Sequence, residues 1–245
     1  MNKIKEALKT LLFPLLPAFQ NKVRNDINAL IKNQEGQVEI IDIGGRKSPY
    51  TIGLNATITI LDKQPENEVQ KSLNLGIDEK RKKEILLERS NVRDILDIDI
   101  TSNNTSLKNK YDLALAIEVI EHVKDSEKML ENIYNALKPG GILYITTPNG
   151  DYIKNEPPNY NPDHIKHYKR KELVTLLRKY FTSVNVFYGI KMGKYWYHSL
   201  NGWSMKHPFR TLITIFCSLI NQLESKGMEI KPIKTAHLFA IVRRD

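Results

Sequence analysis

The chain has 245 residues, 41% hydrophobic and 27% charged, ordinary globular usage that supports one large domain and excludes wholesale disorder or a fibrous protein. Its single cysteine excludes a disulfide framework and a cysteine-based zinc site, and no run of about 18 apolar residues predicts a membrane-spanning helix. The net charge of +9 suits anionic partners such as membrane, phosphorylated substrate or nucleic acid, but the abundance of Lys, Ile and Asn is equally the bias of an AT-rich genome.

The N-terminal apolar stretch has no small-residue cleavage site after it, which argues for a cytoplasmic protein. Residues 1–35 predict a helical cap. Ile4, Leu8, Leu11, Leu12, Leu15, Leu16 and Phe19 fall near one helical face, and Val23, Ile27, Leu30 and Ile31 repeat the pattern, with Pro14 and Pro17 breaking the cap into two helices. Val38–Ile43 is a β-branched run that stops at Gly44-Gly45, the pattern of a buried strand entering a tight turn. A second strand is predicted over Thr57–Asp62, a charged helix over Ile77–Arg89 and a brief third strand over Val92–Ile95. Tyr111–Ile117 is an apolar strand. A helix capped by Asp125 or Ser126 should follow, running to Leu137 and stopped by Lys138-Pro139-Gly140-Gly141. Further strands are predicted at Ile142–Thr147, Val184–Tyr188 and His237–Val242, with a helix at Lys169–Tyr180.

Strands alternating with helices imply a doubly wound α/β fold: a mostly parallel, Rossmann-like sheet with helices on both faces. Residues 36–188 form the predicted core, and 189–245 hold an insertion of lid helices plus the final strand. Ligands of such sheets bind beyond the carboxyl ends of the strands. Asp42, Gly44 and Gly45 follow the first strand there. Asp62 follows the second, about 20 residues from the glycines, the spacing at which an acid meets a ribose hydroxyl pair. Asp94 follows the third, and Glu118 through His122 the fourth.

Asp42-Ile43-Gly44-Gly45-Arg46-Lys47-Ser48-Pro49-Tyr50, Tyr111-Asp112-Leu113 through Glu118-Val119-Ile120-Glu121-His122, Leu137-Lys138-Pro139-Gly140-Gly141, Thr146-Thr147-Pro148-Asn149 and His164-Ile165-Lys166-His167-Tyr168 together resemble the motifs of class I S-adenosylmethionine-dependent methyltransferases. The resemblance covers roughly residues 38–188 and is nearest to the subgroup that modifies quinones, small metabolites and glycans. It implies a seven-stranded sheet with an antiparallel last strand and S-adenosyl-L-methionine as cofactor. It further implies that Gly44 and Gly45 face the methionine part of the cofactor, with Asp42 near its amino group. By the same resemblance Asp62 binds the ribose and Lys63 lies along the adenosine. Asp94 and Ile95 contact the adenine, and Ala116, Ile117 and Glu118 line the floor near the sulfonium. Arg46 stands where the family has its second glycine; its side chain either crowds the methionine carboxylate or pairs with it.

Methyl transfer needs positioning and a base. His122 is one candidate base, its bland alternative being a helix-start histidine bonded to backbone. His164 is the other, matching a rim histidine of the family. No metal is expected, because His164 and His167, three apart, have no evident third ligand. Asn155-Glu156-Pro157-Pro158-Asn159-Tyr160 echoes the box of nucleic-acid amino-methyltransferases, but it follows the wrong strand, so no specific nucleic acid is expected. Gly44-Gly45 lacks the third glycine of a dinucleotide fingerprint. Residues 208–224 carry a wide apolar stripe, and Lys3, Lys5 and Lys9 accompany the leucines of the first helix. Two readings stay open: both helices pack on the sheet and roof the acceptor site, or they touch the inner membrane face peripherally. The expected function is methyl transfer to an oxygen, or failing that a nitrogen, of a small molecule, saccharide, quinone-like or lipid-linked acceptor. The alternative is a non-catalytic, methyltransferase-like subunit that binds a protein partner. The sequence specifies no oligomeric state.

Overall fold

The computed structural model of the protein describes residues 2–63, 76–103, 107–157 and 160–245. In chain order its elements are α1 (Asn2–Leu12), α2 (Ala18–Lys32), β1 (Glu39–Ile43), β2 (Thr57–Asp62), α3 (Glu79–Glu88), β3 (Val92–Asp97), β4 (Tyr111–Ile117), α4 (Ser126–Ala136), β5 (Leu137–Pro148), α5 (Arg170–Leu177), β6 (Ser183–Lys191), α6 (Lys194–Ser199), α7 (Pro208–Glu224) and β7 (Thr235–Arg243). The strands form one seven-stranded sheet in the order β3-β2-β1-β4-β5-β7-β6. β1, β2, β3, β4 and β5 pair in parallel, and β7 runs antiparallel to both β5 and β6. The expected fold class therefore holds, including the antiparallel last strand.

The period-2 alternation of side chains sorts each strand between two cores. Ile41, Ile43, Ala114 and Ala116 face α4 and α5, where Met129, Leu130, Ile133, Leu173 and Leu177 are fully buried. Ile40, Ile58, Leu113 and Leu115 face α2 and α3, meeting Val23, Ile27 and Ile85. Each such side chain contributes about 1.5–3 kcal/mol by leaving water. Polar caps set where the helices start: the Asp125 carboxylate accepts from Lys128 N at 2.9 Å and Asp78 from Arg81 N at 2.7 Å. α4 ends at Ala136, because Leu137 already has extended dihedrals, and Gly140 takes a left-handed φ of 77°.

α2, predicted as part of a cap, is bonded into the sheet and the site. The Tyr144 hydroxyl, deep in the core, donates to Asp26 at 2.7 Å. Arg24 Nη1 donates to the carbonyls of Tyr50 and Ile52, at 3.0 and 2.7 Å, which fixes the connection between β1 and β2.

α7 departs from the packing reading. It meets the body of the protein through Thr214, Cys217, Ser218 and Asn221, while Phe209, Leu212, Ile213, Phe216 and Leu223 are exposed. The inward polar face is tolerated because its groups are satisfied locally. Thr214 Oγ1 donates to Arg210 O and Ser218 Oγ to Thr214 O, both at 2.9 Å, and Asn221 Nδ2 donates to Lys191 O at 2.8 Å.

Because Tyr144 is buried, Tyr144→Phe removes one hydrogen bond without opening a cavity. It should lower the unfolding free energy by about 1 kcal/mol in a urea titration, with an unchanged slope.

Candidate active site

Asp42 ends up in the interior, 1% exposed, at the carboxyl end of β1. Its carboxylate accepts from Thr51 Oγ1 at 3.0 Å. Arg89, also buried, donates to the Thr51 hydroxyl and, at 3.3 Å, to Gly45 O. Burial pushes the Asp42 carboxyl up, outweighing the pull of Arg89 and of the Thr51 and Ser48 hydroxyls. A Cβ on Gly45 would lie 2.4 Å from Asp42 Cγ, so only glycine fits there. Gly44 has φ 70°, which turns the chain out of the strand, and its N–H donates to Leu61 O at 2.8 Å.

Arg46 has a partner within the protein that the sequence did not indicate. Its guanidinium turns to the neighbouring strand end and pairs with Asp62 Oδ2 at 2.9 Å, while Lys63 N donates to Oδ1 at 3.0 Å. The acid placed to hold ribose hydroxyls thus carries a counter-charge from the glycine turn.

The assignment of Asp94 and Ile95 is corrected. β3 continues to Asp97, and the register pairs Thr59 with Asp94, Ile60 with Ile95 and Asp62 with Asp97. Asp94 is therefore mid-strand and solvent-exposed, with its carboxylate accepting from Ile95 N at 2.8 Å, and Ile95 is buried in the core. Three residues of strand separate Asp94 from the edge, about 10 Å. The residues beside Asp62 are Asp97 and Ile98, whose N–H donates to Asp62 O at 3.3 Å.

Ala116 and Ile117 close β4, and Glu118 leaves it with an unusual φ of 53°. The backbone N–H of Glu118 donates to Thr146 O at 3.2 Å, and Thr146 Oγ1 donates to Glu118 Oε1 at 2.8 Å. His237 Nδ1 stands 3.3 Å from Glu118 Oε2. Burial pushes the Glu118 carboxyl up, but His237, the Thr146 hydroxyl and His164 outweigh it and hold the group below its ordinary value. Phe19 stacks on His237 with ring centroids 4.2 Å apart and meets Tyr50 edge-on at 6.1 Å. Burial first, then Glu118 and Asp42, push the Tyr50 phenol up, so it keeps its proton. A cluster of aromatic rings thus adjoins the Glu118 carboxylate.

The rim histidines form an ordered chain. His167 Nδ1 lies 2.9 Å from Ile153 O, and a carbonyl only accepts, so the Nδ1–H of His167 donates. With a neutral His167 ring, its Nε2 accepts from the Nδ1–H of His164, 2.7 Å away. That leaves His164 Nε2 with a bare lone pair. Burial, then the nearby His122 and His167, lower the pKa of His164, which favours the neutral ring. His122 Nδ1 lies 2.8 Å from Asp163 O, so its Nδ1–H donates to backbone. Asn155, part of the echo of the nucleic-acid box, donates to the carbonyls of Asn161 and His164, both at 2.9 Å, and so braces this rim. Pro158 and Asn159 of that stretch lie outside the described residues.

Glu121 is fully buried. Thr147 Oγ1 donates to its Oε2 at 3.2 Å, while Oε1 has no partner. Burial first, and then Glu118, raise its carboxyl well above the ordinary value. The ligand atoms of Glu121, His122 and His164 lie within 4.8 Å of one another, a set able to hold a divalent cation. The expectation of no metal rested on a missing third donor beside His164 and His167, and Glu121 with His122 is what the fold supplies instead.

Asp42, Asp62 and Glu118 end three adjacent strands at one edge of the sheet. A cationic sulfonium and ammonium fit these carboxylates, and a ribose hydroxyl pair fits Asp62. Such a site on a sheet of this order is that of a nucleotide-like ligand bound beyond the carboxyl ends of the strands. The sequence profile of the methyltransferase-domain family matches residues 16–181, and the chain belongs to that family. Over 39 residues it is 49% identical to the mitochondrial ubiquinone biosynthesis O-methyltransferase of Rattus norvegicus, a stretch covering 16% of this chain and 11% of that protein. Among solved structures, an S-adenosylmethionine-dependent methyltransferase from Archaeoglobus fulgidus aligns with a TM-score of 0.57 at 14% identity, covering 92% of this chain and 94% of the other. Phosphoethanolamine N-methyltransferase 2 of Haemonchus contortus, solved with S-adenosyl-L-methionine, aligns with a TM-score of 0.54 at 14% identity, covering 89% and 52%. The expected family, enzyme class and cofactor hold.

Sequence reading passed over Arg89, Tyr50 and His237 as site residues. His237 alone carried a usable signal: in an antiparallel last strand, the first residues lie at the edge where the parallel strands end.

The raised carboxyl of Glu121 has a stability signature. The folded chain binds more protons than the unfolded one between the ordinary value of 4.5 and the raised one, so stability falls as pH climbs through that window. Glu121→Gln should melt at a higher temperature than the parent above pH 7, the gap closing toward pH 4. A gap that widens in acid would show the carboxyl to be charged in the fold.

Proposed function

We propose that this chain transfers the methyl group of S-adenosyl-L-methionine to a hydroxyl oxygen of a small, ring-bearing acceptor of the quinol, phenol or saccharide class. The observation that carries the reading is the meeting of Asp42, Asp62 and Glu118 with a neutral, bare-nitrogen His164 at one sheet edge. The cofactor supplies an already activated methyl on a positive sulfur, so little beyond positioning and proton removal is asked of the protein. Asp62 accepts from the ribose hydroxyls, and the turn at Gly44-Gly45, which carries no side chain, admits the methionine end beside Asp42. Glu118, kept charged by its partners, offsets the positive centre. The acceptor ring lies along Phe19, Tyr50 and His237, and its hydroxyl gives its proton to His164 Nε2. His167, itself bonded to Ile153 O, shares the positive charge that results. The oxygen target is supported by that lone pair and by the 39-residue likeness to a ubiquinone O-methyltransferase.

Calorimetric titration tests the cofactor half. Binding of S-adenosylmethionine and of its demethylated product should weaken at least about tenfold in Asp62→Asn, the loss of a charge-assisted hydrogen-bond acceptor. No binding to a folded sample at millimolar ligand would turn the reading to the non-catalytic partner-binding subunit.

The proton-transfer half is tested by His164→Ala, assayed with a catechol or quinol acceptor. kcat should fall about 10²–10⁴-fold while cofactor affinity stays unchanged. Full activity in that variant would place the base elsewhere.

A further inference from the structure

α7 is amphipathic in the reverse of the usual sense. Its small and polar residues face the protein, and Phe209, Leu212 and Phe216 are 81%, 62% and 58% exposed. The surface continues onto neighbouring elements. Gln222 donates to the carbonyls of Pro14 and Leu16 at 2.9 and 3.0 Å, tying the carboxyl end of α7 to the α1–α2 junction. Before α7, Trp203 lines the same cavity as Leu8 of α1. Leu11 is 74% exposed and Met205 99%. Isolated exposed apolar residues are common on soluble proteins, but a contiguous run of large ones marks a contact surface.

The charges decide what covers it. From Trp203 to Leu223 there is no acidic residue, and Lys206 and Arg210 stand exposed at the approach to the helix and in its first turn. Lys9 is exposed beside Leu8; the side chains of Lys3 and Lys5 lie outside the described ones. Two copies of this chain joined face to face across a two-fold axis would bring the same cations together, whereas an anionic headgroup layer neutralises them. No helix among the described residues is long and apolar enough to cross a membrane, so α7 can only lie along a surface. The cavity that Leu8, Lys9 and Trp203 share is about 470 Å³, and its walls also include Arg46, Lys47 and Arg89. Glu88 lines it as well and Arg46 is paired with Asp62, so the charges that matter for docking are those of the outer face.

We propose that the exposed apolar face of α7, together with the neighbouring end of α1, docks on the surface of an anionic lipid bilayer. The aromatic and aliphatic side chains enter the headgroup boundary, and Lys9, Lys206 and Arg210 meet the lipid phosphates. The docking does not depend on the methyl-transfer reading, and cofactor affinity measured on the same variants separates the two.

Flotation of the full chain with phosphatidylcholine vesicles, with and without phosphatidylglycerol, is the test. The chain should float with the anionic vesicles and remain behind with the neutral ones. Raising salt from about 0.1 to 0.5 M should release most of it, since that shortens the screening length well below 10 Å. Leu212→Glu with Phe216→Glu should reduce the bound fraction at least about tenfold, and Arg210→Glu about fivefold or more, the worth of one basic residue near such a surface. Both variants alter exposed positions, so an unchanged melting temperature verifies the fold. Failure to float with either vesicle would overturn the proposal, as would equal binding to both. So would a dimer in light scattering that the Leu212/Phe216 variant dissolves, because that would assign the face to a second copy of the chain.

Discussion

A carboxylate buried at the end of β1 is the constraint on which the site depends. Asp42 has almost no contact with water, so its polar oxygens must be met from within the protein. The Thr51 hydroxyl meets that need, with Arg89 bonded to Thr51 and Gly45 O behind it, and this draws the connection after β1 tightly under the strand. The same crowding leaves room for nothing larger than glycine at position 45. Arg24, reaching from α2 to the carbonyls of Tyr50 and Ile52, holds the other side of that connection. Glycine turn, buried acid and helix α2 are therefore one mechanical unit.

The second organising feature is the antiparallel β7. Its register sets Pro148 opposite His237, which delivers a histidine to the same edge as Asp42, Asp62 and Glu118. Successive residues at the end of β5 then support different parts of the site. Thr146 holds Glu118, Thr147 holds Glu121, and Asn149 binds Thr235 Oγ1 at 2.8 Å. A family-like Thr-Thr-Pro-Asn stretch thus acts as scaffolding behind the groups that meet ligand. Two carboxyls three residues apart acquire opposite character from it. Glu118 has three partners favouring its charge, and Glu121 has one hydroxyl in a closed interior.

The legible parts of this chain were those governed by local rules. Period-2 and period-3.6 patterns located the strands and helices to within a few residues, and strand ends pointed to Asp42, Asp62 and Glu118. Asp94 was misplaced because strand length is not local: pairing with β2 carries β3 through Leu96 to Asp97. Arg46 was understood only along the chain, as a bulky residue in a glycine position. Its partner is Asp62, on a different strand, brought within 2.9 Å by the parallel pairing of β1 and β2. The apolar stripe of α7 was visible, but its direction was not. Thr214 and Ser218 find acceptors within the helix, but Asn221 can turn inward only because the assembled fold provides Lys191 O.

By itself, the sequence determined the strand-helix alternation, the sheet class, the carboxylate at the end of each of three strands and the family motifs. The alternation, the sheet class and the strand ends follow from short-range steric and hydrophobic periodicity, and the motifs were read by resemblance. Tertiary structure alone decided that Arg46 pairs with Asp62, that His237 stands beside Glu118, and that Glu121, His122 and His164 converge. It also decided that α7 presents its apolar side to the outside. Each of these depends on distances between residues far apart in the chain, set by strand register and by the need of buried polar groups for partners.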